Sequence, residues 1–162
     1  MTLFNPPFNR KGFLMGIFIL VGLALLPASF IGCGADYDPR DEVRINPDWE
    51  ARADKLEAHG ALRTATNPGP WGEKIADHLP AASANPVSGQ LTVITSHGMS
   101  AEHYITTLYI RNQDGVVIGL KELSPTDSEA KAIFTYPKGT IKVQAFSFCN
   151  LHDHWMAEKT LR

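Results

Sequence analysis

The pattern of hydrophobic and polar positions changes several times along this chain. Between Phe13 and Gly32 the run FLMGIFILVGLALLPASFIG carries no charge, and its 20 residues are long enough to cross a bilayer. Residues 36–46 are polar and rich in Asp, Arg and Pro, and read as a tether. A helical period follows, with Trp49, Ala53 and Leu56 at i, i+4 and i+7. Asn46 suits the N-cap, Pro47 the first helical position, Asp48 and Glu50 the first turn, and Gly60 the stop. One helix over about 47–59 is expected, with a packing or spacing role. His59 falls near its negative end and outside any site. From 61 to 90 Pro, Gly, Asn, Ala and Ser dominate and no period survives, so a long ordered loop or extended segment is expected.

After residue 90 the period shortens to two. Leu91–Thr95 is a brief β-branched run. His103–Arg111 alternates, with Tyr104, Leu108 and Ile110 on one face and His103, Ile105 and Tyr109 on the other. Asn112–Gly115 reads as a turn into Val116–Leu123, a hairpin. Further strands are expected over Ala132–Tyr136, Thr140–Phe148 and Trp155–Leu161, with a turn at Pro137–Gly139. Short strands with turn signals roughly every ten residues describe an all-β, antiparallel β-sandwich. No helix-length stretch interrupts residues 91–162, which excludes a doubly wound α/β fold.

Composition narrows the function classes. The 162 residues suit one ordinary domain. Fifteen Lys+Arg against 17 Asp+Glu leave a formal net charge of −2, which excludes nucleic-acid binding through a basic field. Met1–Phe13 holds Arg10 and Lys11 and no acidic residue, so with the apolar run it reads as an export signal. Phe30-Ile31-Gly32-Cys33 resembles a bacterial lipobox, with Phe30 where Leu is usual. Three readings stay open: lipidation at Cys33, cleavage near Ala35 with Cys33 incidental, or an uncleaved membrane anchor. All three place residues 36–162 outside the cytoplasm, in the periplasm or cell envelope. The expected organisation is 1–33 as signal peptide or anchor, 34–65 as tether and short helix, and 66–162 as the sandwich.

The remaining chemistry lies in two cysteines and six histidines. Cys33 belongs to the targeting segment, so Cys149 stands alone in the folded domain and no disulfide forms there. His78, His97, His103, His152 and His154 share the last 85 residues with it. Cys149-x-x-His152 lies where a strand ends, and a short turn there can point both side chains at one centre. Thiolate with imidazole favours Zn, Fe or Cu over Ca or Mg. Five or six donors exceed the four of a closed zinc site and favour iron of higher coordination. A lone histidine or a single CxxH is more often a surface or packing feature, so spacing alone leaves a metal site open.

Longer motifs go further. His97-Gly-Met-Ser-Ala-Glu-His103-Tyr-Ile resembles the HPMxxEHYI signature of the desulfoferrodoxin / superoxide reductase family, and Cys149-Asn-Leu-His152-Asp-His-Trp155 resembles its CNLHGHW. His78-Leu-Pro80 is similar to its HVP element, and NPGPW at Asn67–Trp71 to the stretch preceding HVP in some members. The resemblance spans about residues 66–160, and three separated motifs agree in order and spacing. It implies an immunoglobulin-like β-sandwich holding one mononuclear iron. His78, His97, His103 and His152 would be equatorial ligands and Cys149 the axial thiolate, with a sixth position open. Backbone N–H groups of Asn150–His152 would hydrogen-bond the sulfur. The implied reaction is one-electron reduction of superoxide to hydrogen peroxide.

The chain departs from that pattern in one place. The well-studied branch has Glu-Lys directly before the first histidine, where this chain has Ala76 and Asp77. Glu73-Lys74 is the nearest such pair, so Lys74 is the candidate anion-guiding, catalytic residue, provided a different loop path brings it to the mouth. Residues 36–65 contain no Cys, so no second iron centre is expected there. Electrons would come from an external donor such as a rubredoxin-like protein or a cytochrome. The alternative is a non-catalytic immunoglobulin-like iron protein for electron transfer, redox sensing or partner binding, which would account for the displaced lysine and the added helix. His154 has no place in the ligand set and is expected to be a supporting or surface imidazole beside Trp155.

Overall fold

Asn46 begins the first element as its residue type dictates: its side-chain oxygen accepts from the backbone N–H of Asp48 at 3.0 Å and of Trp49 at 3.3 Å. The computed structural model describes Asp38 and residues 40–161; the segment expected to be a signal or anchor, with Cys33, lies outside the described residues. Helix α1 covers Pro47–Glu57, two residues shorter than expected, and buries Ala53 and Leu56. It is capped by Ala58, and His59 Nδ1 bonds the Lys55 carbonyl at 2.8 Å, at the negative end of the helix. Among the described residues no helix is long and apolar enough to cross a membrane.

Eight strands follow: β1 (Leu62–Arg63), β2 (Ala81–Asn85), β3 (Gln90–Thr95), β4 (Ile105–Asn112), β5 (Val117–Glu122), β6 (Ala130–Thr135), β7 (Lys142–Cys149) and β8 (His154–Thr160). They form two sheets, one ordered β1-β8-β7-β4-β5 and one ordered β2-β3-β6. All pairings are antiparallel except β1 with β8. The expected sandwich is therefore present. Its core holds Leu91 and Val93 of β3, Ile105, Leu108 and Ile110 of β4, Val143, Ala145 and Cys149 of β7, and Phe134 of β6.

Two expectations change. Residues 61–90 are not one loop: they contain β1, β2, a 3-10 turn over Gly69–Lys74 and the short helix α2 (Ile75–His78). Strand β2 reads AASAN, too small and polar to announce itself, and its register along β3 defines it. The face assignment in β4 also fails at its start. A register shift between Ile105 and Thr107 turns Ile105 inward beside Leu108 and Ile110. Such a bulge defeats a strict period of two.

The outer face of the larger sheet is covered as well. Ala53 and Leu56 of α1 pack with Tyr109, Val117 and Phe146, with Trp49 and Phe148 beside them. Strands β4 and β7 thus bury residues on both faces, with Leu108, Ile110, Val143 and Ala145 in the sandwich core and Tyr109 and Phe146 under the helix. Polar bonds fix the helix in place. Arg111, only 14% exposed, pairs with Glu50, Asp54 and Glu57 on successive turns of α1. Glu50 also accepts from the Val117 N–H at 2.6 Å. Upstream, the expected tether is docked on the sandwich: Lys138 pairs with Asp38 and Asp41, and its N–H donates to the Arg40 carbonyl.

His154 sits on this outer face, fully buried against Tyr109, Phe146 and Phe148. The Tyr109 hydroxyl donates to Glu57 at 2.8 Å, so His154 Nε2–H donates to Tyr109 at 2.7 Å and Nδ1 is left bare. Burial pushes the His154 imidazole down from 6.5 to about 4. The unfolded chain takes up this proton near the ordinary value while the folded chain resists it until about 4. Stability from this group is therefore complete above about 6.5 and falls as the pH drops toward 4. The melting midpoint of the metal-free chain is expected to decline across that window, and to decline less in His154→Phe. Equal declines in the two proteins would contradict the assignment.

Candidate metal centre

Strand ends place the candidate ligands at one pole of the sandwich. Residue His97 follows β3, His103 precedes β4, Cys149 closes β7, and His152 lies in the loop from β7 to β8. His78 arrives separately, as the last residue of α2. All five are brought together: their donor atoms lie within 4.8 Å of one another. His154, on the other face, is outside the group.

The spacing within the group is that of a coordination sphere. Two imidazole nitrogens about 2.1 Å from one ion, at right angles to each other, stand about 3.0 Å apart. Nε2 of His97 lies 3.0 Å from Nε2 of His103, and Nε2 of His78 lies 3.0 Å from Nδ1 of His152. The Cys149 sulfur is 3.2 Å from His103, 3.7 Å from His152 and 4.0 Å from His97. Neighbouring backbone fixes the tautomers of two rings. His78 Nδ1–H donates to the Lys74 carbonyl at 3.0 Å, and His97 Nδ1–H to the Gly98 carbonyl, which leaves both Nε2 lone pairs facing inward.

Electrostatics favour the neutral rings that a metal needs. Burial, then the neighbouring His97, lowers His78 to about 4. Burial lowers His103 and His152, and the Lys74 cation adds to both effects. Burial raises the Cys149 thiol, while the N–H groups of Leu151 and His152 pull the other way. Leu151 N–H reaches the sulfur at 3.4 Å. The Asn150 N–H does not: it donates to the Tyr104 carbonyl, correcting the expectation that it faces the sulfur.

Lys74 and Asp77 both line an open cavity of about 500 Å³ with His78, His97 and His103. The loop path that the displaced lysine requires exists. The 3-10 turn ends at Lys74 and runs directly into α2, so lysine and histidine are four positions apart on the same wall.

Several supporting residues were not singled out from the sequence. Asn150 joins the two ligand loops, accepting from Tyr104 N–H at 3.0 Å and donating to the Glu102 carbonyl at 2.9 Å. Ser147 donates to the His78 carbonyl at 2.6 Å. Trp155, fully buried, sets its ring 5.7 Å from His78 and donates to the His152 carbonyl at 2.7 Å. Trp71 meets His152 edge-on at 4.8 Å. Asn150, Trp155 and Trp71 all stand in motifs already recognised, but motif membership does not say what a side chain touches.

Comparison with known proteins fits this geometry. A family model for desulfoferrodoxin matches residues 74–158, just over half of the chain. The chain belongs to the desulfoferrodoxin family. Solved structures similar to it include superoxide reductases. A variant of the superoxide reductase (neelaredoxin) from Ignicoccus hospitalis aligns with a TM-score of 0.54 at 25% identity, covering 63% of this chain and 94% of that one. A second variant of that protein gives 0.50 at 25% identity, with 62% and 93% covered. No curated protein sequence matches the chain. The donor set suits the single iron of the desulfoferrodoxin family: four imidazoles and one thiolate exceed a closed tetrahedral site and stop short of a full octahedron.

Proposed function

We propose that this desulfoferrodoxin-family chain is an exported superoxide reductase, taking one electron from an external donor to convert superoxide and two protons into hydrogen peroxide. The observation that carries the reading is the pentad His78, His97, His103, Cys149 and His152, three of whose histidines (His78, His97 and His103) line a cavity together with Lys74. The four imidazoles and the Cys149 thiolate would hold the iron. Bound there, iron would supply the electron and be reduced again by the donor.

The protein's own residues do the rest. Neutral rings around the centre add no charge, so the positive charge that a bound iron would bring is offset at the centre only by the Cys149 thiolate, which leaves a field that attracts an anion. The Lys74 ammonium strengthens that field, and the Asp77 carboxylate, lining the same cavity, weakens it. The N–H groups of Leu151 and His152 hold the Cys149 thiolate in place and limit the charge it donates. Among the described residues lining that cavity, Lys74 is the one Lys or Arg side chain, and so a candidate proton donor to a product that must gain protons.

Two features favoured a non-catalytic iron protein, and each has another explanation. The displaced lysine reaches the cavity by a turn of backbone, and the added helix covers the outer face of the larger sheet. Stopped-flow mixing of the reduced protein with superoxide separates the readings: an enzyme is oxidised near the diffusion limit, a binding module slowly. Lys74→Ala is expected to slow that reaction on the order of tenfold and to flatten its ionic-strength dependence, whereas Asp77→Asn speeds it. An unchanged rate and salt slope in Lys74→Ala would remove Lys74 from the mechanism.

Export rests on residues 1–33, read as a signal or anchor, with 34–65 as tether and helix and 66–162 as the iron domain. A lipid-linked Cys33 at the mature N-terminus, seen by mass spectrometry and lost in Cys33→Ser, is the expected result. A mature chain beginning near Ala35 would point to ordinary cleavage instead.

A further inference from the structure

Asp153 follows the ligand candidate His152 and stands where the CNLHGHW motif has glycine. Its φ is 63°, and among the described residues it is the one non-glycine residue with positive φ. An L-residue is strained there, although aspartate tolerates the left-handed region better than most. Something must hold it.

The holding groups come from two segments far away in sequence. One carboxylate oxygen of Asp153, Oδ2, accepts from Arg63 Nε at 2.9 Å, from a second Arg63 guanidinium nitrogen at 2.9 Å, and from the Trp71 indole N–H at 2.8 Å. The ion pair is largely shielded from solvent, with the two side chains 18% and 25% exposed. Arg63 is placed by β1, whose parallel register sets it opposite Trp155 in β8. Gly69, at φ 59°, makes room for its guanidinium, because a Cβ there would overlap it. Trp71, fixed at one edge by Asp153, sets its ring against the His152 imidazole. On the other side of the turn, the Asp153 carbonyl accepts from Cys149 N–H at 3.2 Å and Trp155 holds the His152 carbonyl.

We infer that the Arg63–Asp153–Trp71 cluster is a positioning device for His152, holding the Cys149–Trp155 turn in one conformation and the His152 ring in the one orientation that points Nδ1 at the centre. It deepens the metal reading above and rests on it. His152 needs the device because, unlike His78 and His97, its other ring nitrogen is given no backbone carbonyl to hold it among the described contacts.

Cobalt(II) titration of the metal-free full chain tests the inference, read by its d–d and thiolate charge-transfer bands and by competition with a chromophoric chelator. Asp153→Gly, which relieves the backbone strain while removing the carboxylate, is expected to weaken cobalt 10–100-fold and shift the d–d bands. Asp153→Asn, which keeps an acceptor oxygen and the left-handed conformation, recovers much of the loss. Arg63→Met combined with Asp153→Gly is no worse than Asp153→Gly alone, because both remove the same contact. Circular dichroism and melting of the metal-free proteins check folding; should Asp153→Gly misfold, Trp71→Phe carries the same band shift. Wild-type affinity and bands in Asp153→Gly, or in Trp71→Phe, overturn the positioning role and leave the ligand set intact. Wild-type protein lacking any Cys149-dependent cobalt band overturns both.

Discussion

Cys149→Ser is expected to abolish the red thiolate-to-ferric charge-transfer band of the iron-loaded, oxidised protein. The substitution swaps sulfur for a hydroxyl that stays protonated at neutral pH, in a side chain only 1% exposed, so packing is nearly preserved. Among the described residues no other cysteine joins the group. Losing a residue that merely supports a metal ligand costs about 10–100-fold in affinity, so losing a direct donor should cost at least about 100-fold. Metal uptake should also release the Cys149 proton, so the wild-type affinity falls with falling pH and the serine variant shows a shallower slope. Absorption spectroscopy with chelator competition reads all of this. A red band that persists in Cys149→Ser would end the assignment of Cys149 as a metal donor.

Trp155→Ala carries the largest expected loss of stability. The side chain is fully buried on the inner face of β8, with Ser147 opposite it in β7 and the His78 ring beyond. Removing a buried tryptophan costs about 3–5 kcal/mol, through lost apolar burial and the cavity left behind. The lost bond to the His152 carbonyl adds to that. A fall of roughly 10 °C or more in melting midpoint is expected for a domain of this size. Trp155→Phe keeps most of the volume and loses the indole N–H, so it should lose less stability but still weaken metal binding. A loss below about 1 kcal/mol in Trp155→Ala would show that the site relaxes around the gap.

Much of the fold was legible from local pattern. Leu91 and Val93 are buried at alternate positions of β3, and Asn112–Gly115 turns as its composition demands, with Gly115 at φ 79°. The Asn46 cap and the Ala53–Leu56 face of α1 follow from residue type and spacing. Strand β2 escaped because Ala81–Asn85 has neither apolar alternation nor β-branched residues, and its pairing with β3 supplies what its own side chains do not. Ile105 faces the core against its simple alternation because one extra residue in a bulge inverts every side chain before it. The five candidate ligands were legible because three motifs carry them at fixed spacing. Lys74 was readable only as a candidate, since four intervening positions could have led elsewhere.

Local pattern specified most of the strands from Leu91 onward and helix α1 with its N-cap, and three motifs singled out four imidazoles and a thiolate as candidate donors. These depend on residue type and on separations of a few residues, which backbone geometry converts directly into shape. The tertiary structure alone decided that α1 covers the outer face through Arg111, that His154 is buried away from the centre, and that Lys74 reaches the cavity beside His78. It alone joined Arg63, Trp71 and Asp153 behind His152. Such contacts link positions some 50 to 90 residues apart, and their partners are chosen by sheet register and packing, which no local period encodes.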